Sequence, residues 1–169
     1  MSESNHKNTL LFAIGNNGRQ DDGLGWAFGE AVEQSDAFQG EIHYRYQLQV
    51  EDAELIAGAD EVIFVDAFKG EMPGGFQWKR VEPSANFEFT THALSPEAVL
   101  FWCEKLYEKR PEAYCLLMAG EAWELEIGLT LVAEKNLESA LEFFKKTYLN
   151  PATQTSPERT VGTSVRTPF

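Results

Sequence analysis

Short apolar runs that stop at glycine or an acidic residue recur along this chain, each followed by a stretch with helical spacing. That alternation limits the fold more than any other feature. Residues 8–14 form a continuous apolar run closed by Gly15, the pattern of a strand buried on both faces. Leu24, Phe28, Ala31 and Val32 then repeat at helical intervals. Residues 41–48 alternate apolar or aromatic with polar and read as a second strand, and 52–59 as a short helix. Residues 61–65 are a third strand, which the pattern ends at Asp66. A Gly/Pro turn at 69–75 leads into a strand at 76–81. Ser95-Pro96-Glu97 opens the best-marked helix: Ser95 caps it, Pro96 suits its first position, and Leu94 can staple onto Val99. Val99, Trp102, Cys103 and Leu106 give that helix a buried stripe. Residues 114–119 form a buried strand, and Leu137, Ala140, Leu141, Phe144 and Tyr148 mark the last helix. The expected fold is a three-layer α/β/α arrangement, a mostly parallel twisted sheet with helices on both faces.

Composition enters where it excludes functions. Fourteen Lys and Arg against twenty-seven Asp and Glu leave a net charge of −13, which repels nucleic-acid backbones and anionic membranes. The start of the chain is polar, and apolar runs such as residues 98–103 and 113–119 are no more than seven residues long. A membrane span needs roughly 18 such residues, so the expectation is a cytoplasmic protein with no membrane insertion. Cys103 and Cys115 lie inside apolar segments without metal-ligand spacing and read as reduced core thiols. Residues 1–149 are expected to form one domain. In residues 150–169, ten of the twenty are Thr, Ser or Pro and the net charge is +1, which reads as a tail outside the domain.

In an open parallel sheet, ligands bind beyond the carboxyl ends of the strands. After the first strand comes Gly15-Asn-Asn-Gly-Arg-Gln-Asp21-Asp22-Gly23-Leu-Gly25. One aspartate would suffice to cap a helix; two, flanked by glycines, point to something more. The loop lacks the Lys-Ser/Thr ending of a P-loop, and its carboxylates occupy the place a phosphate would take, which argues against nucleotide binding. Asp66 ends the third strand and faces the same crevice. His92 lies three residues before the helix cap Ser95 and belongs to the same edge, whereas His6 sits in the polar leader and His43 inside a strand. Asp22, Asp66 and His92 together offer two hard oxygens and an imidazole nitrogen. Three protein ligands with open positions suit a borderline divalent ion such as nickel or zinc that exchanges ligands with a substrate.

Gly15-Asn16, Asp21-Asp22-Gly23-x-Gly25, Val65-Asp66-Ala67 and Thr91-His92-x-Leu94-Ser95 resemble, in this order, the nickel–iron hydrogenase maturation endopeptidases. The segment Glu121-x-Trp123-x-Leu125-Glu126-Ile127-Gly128-Leu129-Thr130 is similar to that family's closing motif. The resemblance covers roughly residues 8–149. It departs at Gly18, where the family often carries a hydrophobic residue, and at residues 67–70, which lack a threonine that some members have. It implies a flavodoxin-like or phosphorylase-like fold in a cytosolic enzyme. Such enzymes remove the C-terminal extension of a hydrogenase large-subunit precursor once nickel is in place. Carried over by position, it implies that Asp22, Asp66 and His92 engage nickel, and that Asp21 caps the helix and supports Asp22. Nickel is then either a catalytic ion or one the substrate supplies as a checkpoint.

Two other readings stand beside this one. A receiver-type domain would accept phosphate on Asp66 and hold magnesium with Asp21 and Asp22, but no lysine follows residues 114–119 where a receiver needs one. A non-cleaving metal-binding relative would hold the precursor without cutting it.

Overall fold

Five strands pair in the order β2-β1-β3-β5-β4 in the computed structural model, which describes residues 6–85 and 94–149. They are β1 (Thr9–Ile14), β2 (Glu41–Arg45), β3 (Glu61–Lys69), β4 (Phe76–Arg80) and β5 (Glu112–Gly120). The helices are α1 (Leu24–Ser35), α2 (Asp52–Ala57), α3 (Pro96–Tyr107) and α4 (Leu131–Phe144). The β1–β2, β1–β3 and β3–β5 pairs are parallel, and β4 closes one edge antiparallel to β5. The expected α/β/α architecture with a mostly parallel sheet is the one observed.

The strand pleat divides the core in two. Leu10, Phe12, Val62 and Phe64 face one side and meet Ile56 of α2 and Val99, Leu100 and Cys103 of α3. Their odd-numbered neighbours Leu11, Ala13, Ile63 and Val65 face the other, against Leu24, Phe28 and Val32 of α1 and Ala133, Ala140 and Phe144 of α4. Both faces of β1 and β3 are therefore covered, which is why their sequences are continuous apolar runs rather than alternations. Each of the larger side chains, Val, Leu, Ile and Phe, contributes about 1.5–3 kcal/mol by leaving water, before conformational entropy is counted. Both cysteines are buried and free, as their apolar setting implies.

Three details depart from the sequence reading. β3 does not stop at Asp66: it runs on to Lys69, because β5 continues to Gly120 and Asp66 through Lys69 pair with Leu117 through Gly120. β2 ends at Arg45 rather than at residue 48, since the Arg45 carbonyl is taken by the Gly15 N–H (2.9 Å) and the Trp26 indole N–H (3.0 Å). Leu106 is 56% exposed, because α3 buries a wider face of Ala98, Val99, Leu100 and Cys103 between sheet and α2, and its last turn runs out into solvent. Ser95 does cap α3, its Oγ accepting the Ala98 N–H at 3.2 Å. Residues 150–169, including the whole expected tail, lie outside the described residues.

One contact seats α1 on the carboxyl edge of the sheet. A Cβ on Gly25 would collide with the Ile14 carbonyl oxygen and come within 2.8 Å of the Val65 carbonyl oxygen. The first turn of α1 thus lies directly on the ends of β1 and β3, and only glycine permits the approach. Gly25→Ala is expected to destabilise the fold by about 1–3 kcal/mol. A thermal melt should read this as a fall of roughly 3–10 °C; an unchanged melt would show that α1 can shift without cost.

Candidate functional site

Strand β1 lies between β2 and β3, and the two helices that connect these strands, α1 and α2, pack on opposite faces of the sheet. Such a switch in strand order opens a crevice at the carboxyl edge. Here it is a cleft of about 350 Å³. The residues after β1 supply Gly15 and Asp22, and β3 supplies Asp66. Tyr46, Gln47 and Leu48, after β2, make one wall, and Leu94, Ser95 and Pro96, at the start of α3, make another. The structure therefore brings together two of the three residues expected to act, Asp22 and Asp66. His92 lies outside the described residues, two positions before the cleft-lining Leu94.

The two carboxylates share an electrostatic predicament. Burial above all, with the nearby Asp22 charge, raises the pKa of Asp66 to about 7 against one opposing hydrogen bond, from the Ala67 N–H at 2.8 Å. Asp22 is also raised by burial, while the Asn16 N–H (3.1 Å) and the Arg19 charge pull the other way. Among the described residues neither carboxylate has an ion-pair partner within reach. Two acids that burial holds towards the neutral form, Asp66 also under the charge of Asp22, are a fit for a cation, which would offset the burial of both. Among the described residues no group of three His, Cys, Asp or Glu side chains could hold a metal ion. Of those four residue types, the described cleft lining holds the two acids.

Asp21 corrects the expectation for its own role. It caps no helix at its own position: the turn Gln20–Gly23 and α1 both begin without a side-chain cap. Instead it is fully buried and reaches across to the β5–α4 connection. Its Oδ2 accepts from the Glu121 N–H (2.8 Å), the Ala122 N–H (3.1 Å) and the Thr130 hydroxyl (2.8 Å), and its Oδ1 from the Thr130 N–H (2.8 Å). Burial alone would raise its pKa, but these four bonds outweigh burial and hold it below the usual value. Turned into this network, Asp21 is absent from the described cleft lining that holds Asp66, which weighs against the receiver reading. Thr130 in turn caps α4, accepting the Ala133 N–H at 3.2 Å.

The cleft wall after β2 was not foreseen from the sequence, where residues 46–48 read as more strand. Arg45 binds Asp52 Oδ1 at 3.0 Å, and Asp52 Oδ2 accepts the Gln49 N–H at 2.9 Å, fixing the turn into α2. Tyr46, 68% exposed, stacks on Trp26 with ring centroids 5.2 Å apart. An aromatic pair tethered beside two acids was hidden inside an alternating pattern that strands and cleft walls share. His43, as expected, stays in β2, bonded to Glu41 at 3.2 Å.

Neither family models nor characterised protein sequences give a match to this chain. Solved structures do. The hydrogenase maturating endopeptidase HybD from E. coli superposes with a TM-score of 0.64 at 25% identity, over 80% of this chain and 88% of that one. The NiFe hydrogenase maturation protease HycI from Thermococcus kodakarensis KOD1 gives a TM-score of 0.65 at 20% identity, over 87% of this chain and 96% of that one. HybD from Thermococcus kodakarensis gives 0.59 at 18% identity, over 83% and 99%. Across most of its length this chain has the fold of the NiFe hydrogenase maturation proteases.

Proposed function

We propose that this chain is an endopeptidase that removes the C-terminal extension of a nickel–iron hydrogenase large-subunit precursor after nickel insertion, with Asp22, Asp66 and His92 engaging the nickel. The reading is carried by one observation: Asp22 and Asp66 line a single cleft at the switch point of a fold shared with hydrogenase maturation proteases. His92 comes to it from the sequence alone. In its favour stands the number of ligands, since two carboxylates leave a nickel ion short of protein donors and an imidazole completes a set that suits it.

The chain's own residues have distinct tasks in this reading. The Gly15 N–H to Arg45 carbonyl bond and the seat of α1 on β1 and β3 hold the loop that carries Asp22. Asp66 is fixed by β3 pairing with β5 and by the Ala67 N–H, so its free oxygen stays aimed at the cleft. The tethered Tyr46–Trp26 wall bounds the space in which an extended peptide would lie. Nickel, arriving in the precursor, would polarise the scissile carbonyl or its attacking water. No helix among the described residues is long and apolar enough to cross a membrane. On the function proposed, the reaction belongs in the cytoplasm, before the hydrogenase is complete.

The test is direct. Purified chain is mixed with a full-length large-subunit precursor, with and without nickel loaded, and the products are weighed. A mass loss at the precursor's C-terminus that requires nickel is the expected result. Tight binding of the precursor without mass loss would replace the peptidase by a non-cleaving holder, and phosphate uptake from acetyl phosphate with magnesium would replace it by a receiver.

A further inference from the structure

The ten residues between β5 and α4, positions 121–130, combine two properties that oppose each other in a molecule acting alone. Their backbone is held firmly: besides the Asp21 bonds, Gln20 N–H donates to the Glu126 carbonyl (2.8 Å) and Asp21 N–H to the Ala122 carbonyl (3.0 Å). The Glu124 N–H donates to Gln20 Oε1 (2.9 Å), and Arg19 reaches the Trp123 carbonyl (3.3 Å). A tight turn then bonds the Glu126 N–H to the Glu124 carbonyl at 2.8 Å and puts Leu125 at its apex. Yet Leu125 is 81% exposed and Ile127 88%, with Leu131 at 83% just beyond. Burial does not account for large apolar side chains presented on so fixed a frame, and a rigid, pre-ordered surface loses little entropy when a partner covers it.

The charge around these residues says what the partner is. Positions 121–130 contain Glu121, Glu124 and Glu126 and no cationic residue, and the cations Arg19 and Lys69 that reach the segment both meet Trp123. All three glutamates are exposed and none has an ion pair among the described residues. A second copy of this chain, itself at −13, would bring like charges together, and an anionic membrane or nucleic acid would be repelled. Complementarity asks for a surface carrying apolar side chains among Lys or Arg.

The patch is tied to the cleft through β3 and through the loop after β1. Asp66 and Phe68 share one face of β3, and Phe68 is 37% exposed. The next residue, Lys69, lies 5.9 Å over the Trp123 ring and pairs with Gly120, where the connection begins. Residues 19–21, which anchor the connection, lead straight into Asp22. Resting on the function proposed above, we infer that the Leu125–Ile127–Leu131 patch is the docking platform for the precursor's folded body, engaging a basic, apolar segment of it while the extension to be removed lies in the Asp22–Asp66 cleft.

Cleavage of full-length, nickel-loaded precursor is measured with parent, with the double variant Leu125→Asp/Ile127→Asp, with Leu125→Met/Ile127→Val, and with Glu124→Lys/Glu126→Lys. The Asp pair is expected to raise KM by about tenfold or more with kcat within about twofold of parent. The Met/Val pair is expected to match parent, and the Lys pair to raise KM and reverse its dependence on salt. Thermal melts of all variants should coincide, since the side chains changed are solvent-exposed. If parent cleaves and the Asp pair keeps parental KM, the platform is wrong while the peptidase stands; if parent neither cleaves nor binds precursor, the peptidase itself is wrong. A higher kcat/KM in the Asp pair would mean that a segment of this chain covers the patch. A parental dimer dispersed by the Asp pair at unchanged KM would mean that a second copy covers it. Both results would overturn the inference.

Discussion

Asp66→Asn is expected to end precursor cleavage and, at the same time, to make the fold more resistant to heat above neutral pH. The two effects have one origin. Burial and the Asp22 charge raise Asp66 to about 7, from an ordinary value of 3.8. Between these values the native chain keeps a proton that the unfolded chain has released, so the native state binds more protons and stability falls as pH rises through the window. The penalty is absent well below pH 4 and complete above pH 7, and it amounts to about 4 kcal/mol. Asparagine removes the charge while keeping the shape and an oxygen to accept the Ala67 N–H at 2.8 Å. With chelator present, the variant should melt roughly 6–12 °C above parent at pH 8 and together with it near pH 4. Cleavage of nickel-loaded precursor should fall by about 10²–10⁴, the range expected when a group acting on the reacting atoms is lost. Equal melting at pH 8 would show that the carboxylate ionises without strain, and parental cleavage would remove Asp66 from the site. A destabilised native fold that improves on losing an acid is what a site kept for function produces.

Much of this was legible in the sequence, and the reasons differ from one residue to the next. The parallel sheet was readable because strands covered on both faces, such as β1 and β3, have no choice but to be apolar throughout. Asp66 was readable because a carboxylate at the end of such a run stands out against it. Ser95 was readable because a cap is a local bond between neighbours three residues apart. Asp21 was misread for the converse reason: its partners lie a hundred residues and more along the chain, and nothing near Asp21 distinguishes a cap from a cross-link. The end of β3 was misplaced because strand length depends on the partner, here β5, and not on the polarity of Asp66 itself. Tyr46 was missed because a cleft wall and a half-buried strand share the same alternation. Leu125 and Ile127 stand in the sequence as letters of a motif, and their exposure on a fixed loop is what gives those letters a physical role.

Asp21→Ala is expected to be the most destabilising of these substitutions, and its pH dependence should run opposite to that of Asp66. The alanine would strip the acceptor from three backbone N–H groups and one hydroxyl, in a place with no water-exposed alternative, since Asp21 is 0% exposed. Leaving a buried charge-assisted network without its centre costs about 3–5 kcal/mol, a fall of roughly 8–15 °C in melting temperature. The native pKa of Asp21 lies below its ordinary 3.8, so in the acid range the unfolded chain binds the extra proton. The ionised carboxylate therefore stabilises fully above about pH 4, and this contribution is lost as pH falls through the native value. The gap between parent and variant should be constant from pH 5 to about pH 8 and narrow below pH 4. A gap that persisted undiminished at the lowest pH would mean that the lost volume, and not the ionised hydrogen-bond network, carries the effect. Cleavage should fall with the fold, because the same carboxylate sets the loop that carries Asp22 against the connection that presents Leu125. Adjacent in sequence, Asp21 and Asp22 are thus driven in opposite directions, one held ionised to fix the site and the other held towards its neutral form. A cation in the cleft would act on the second without disturbing the first.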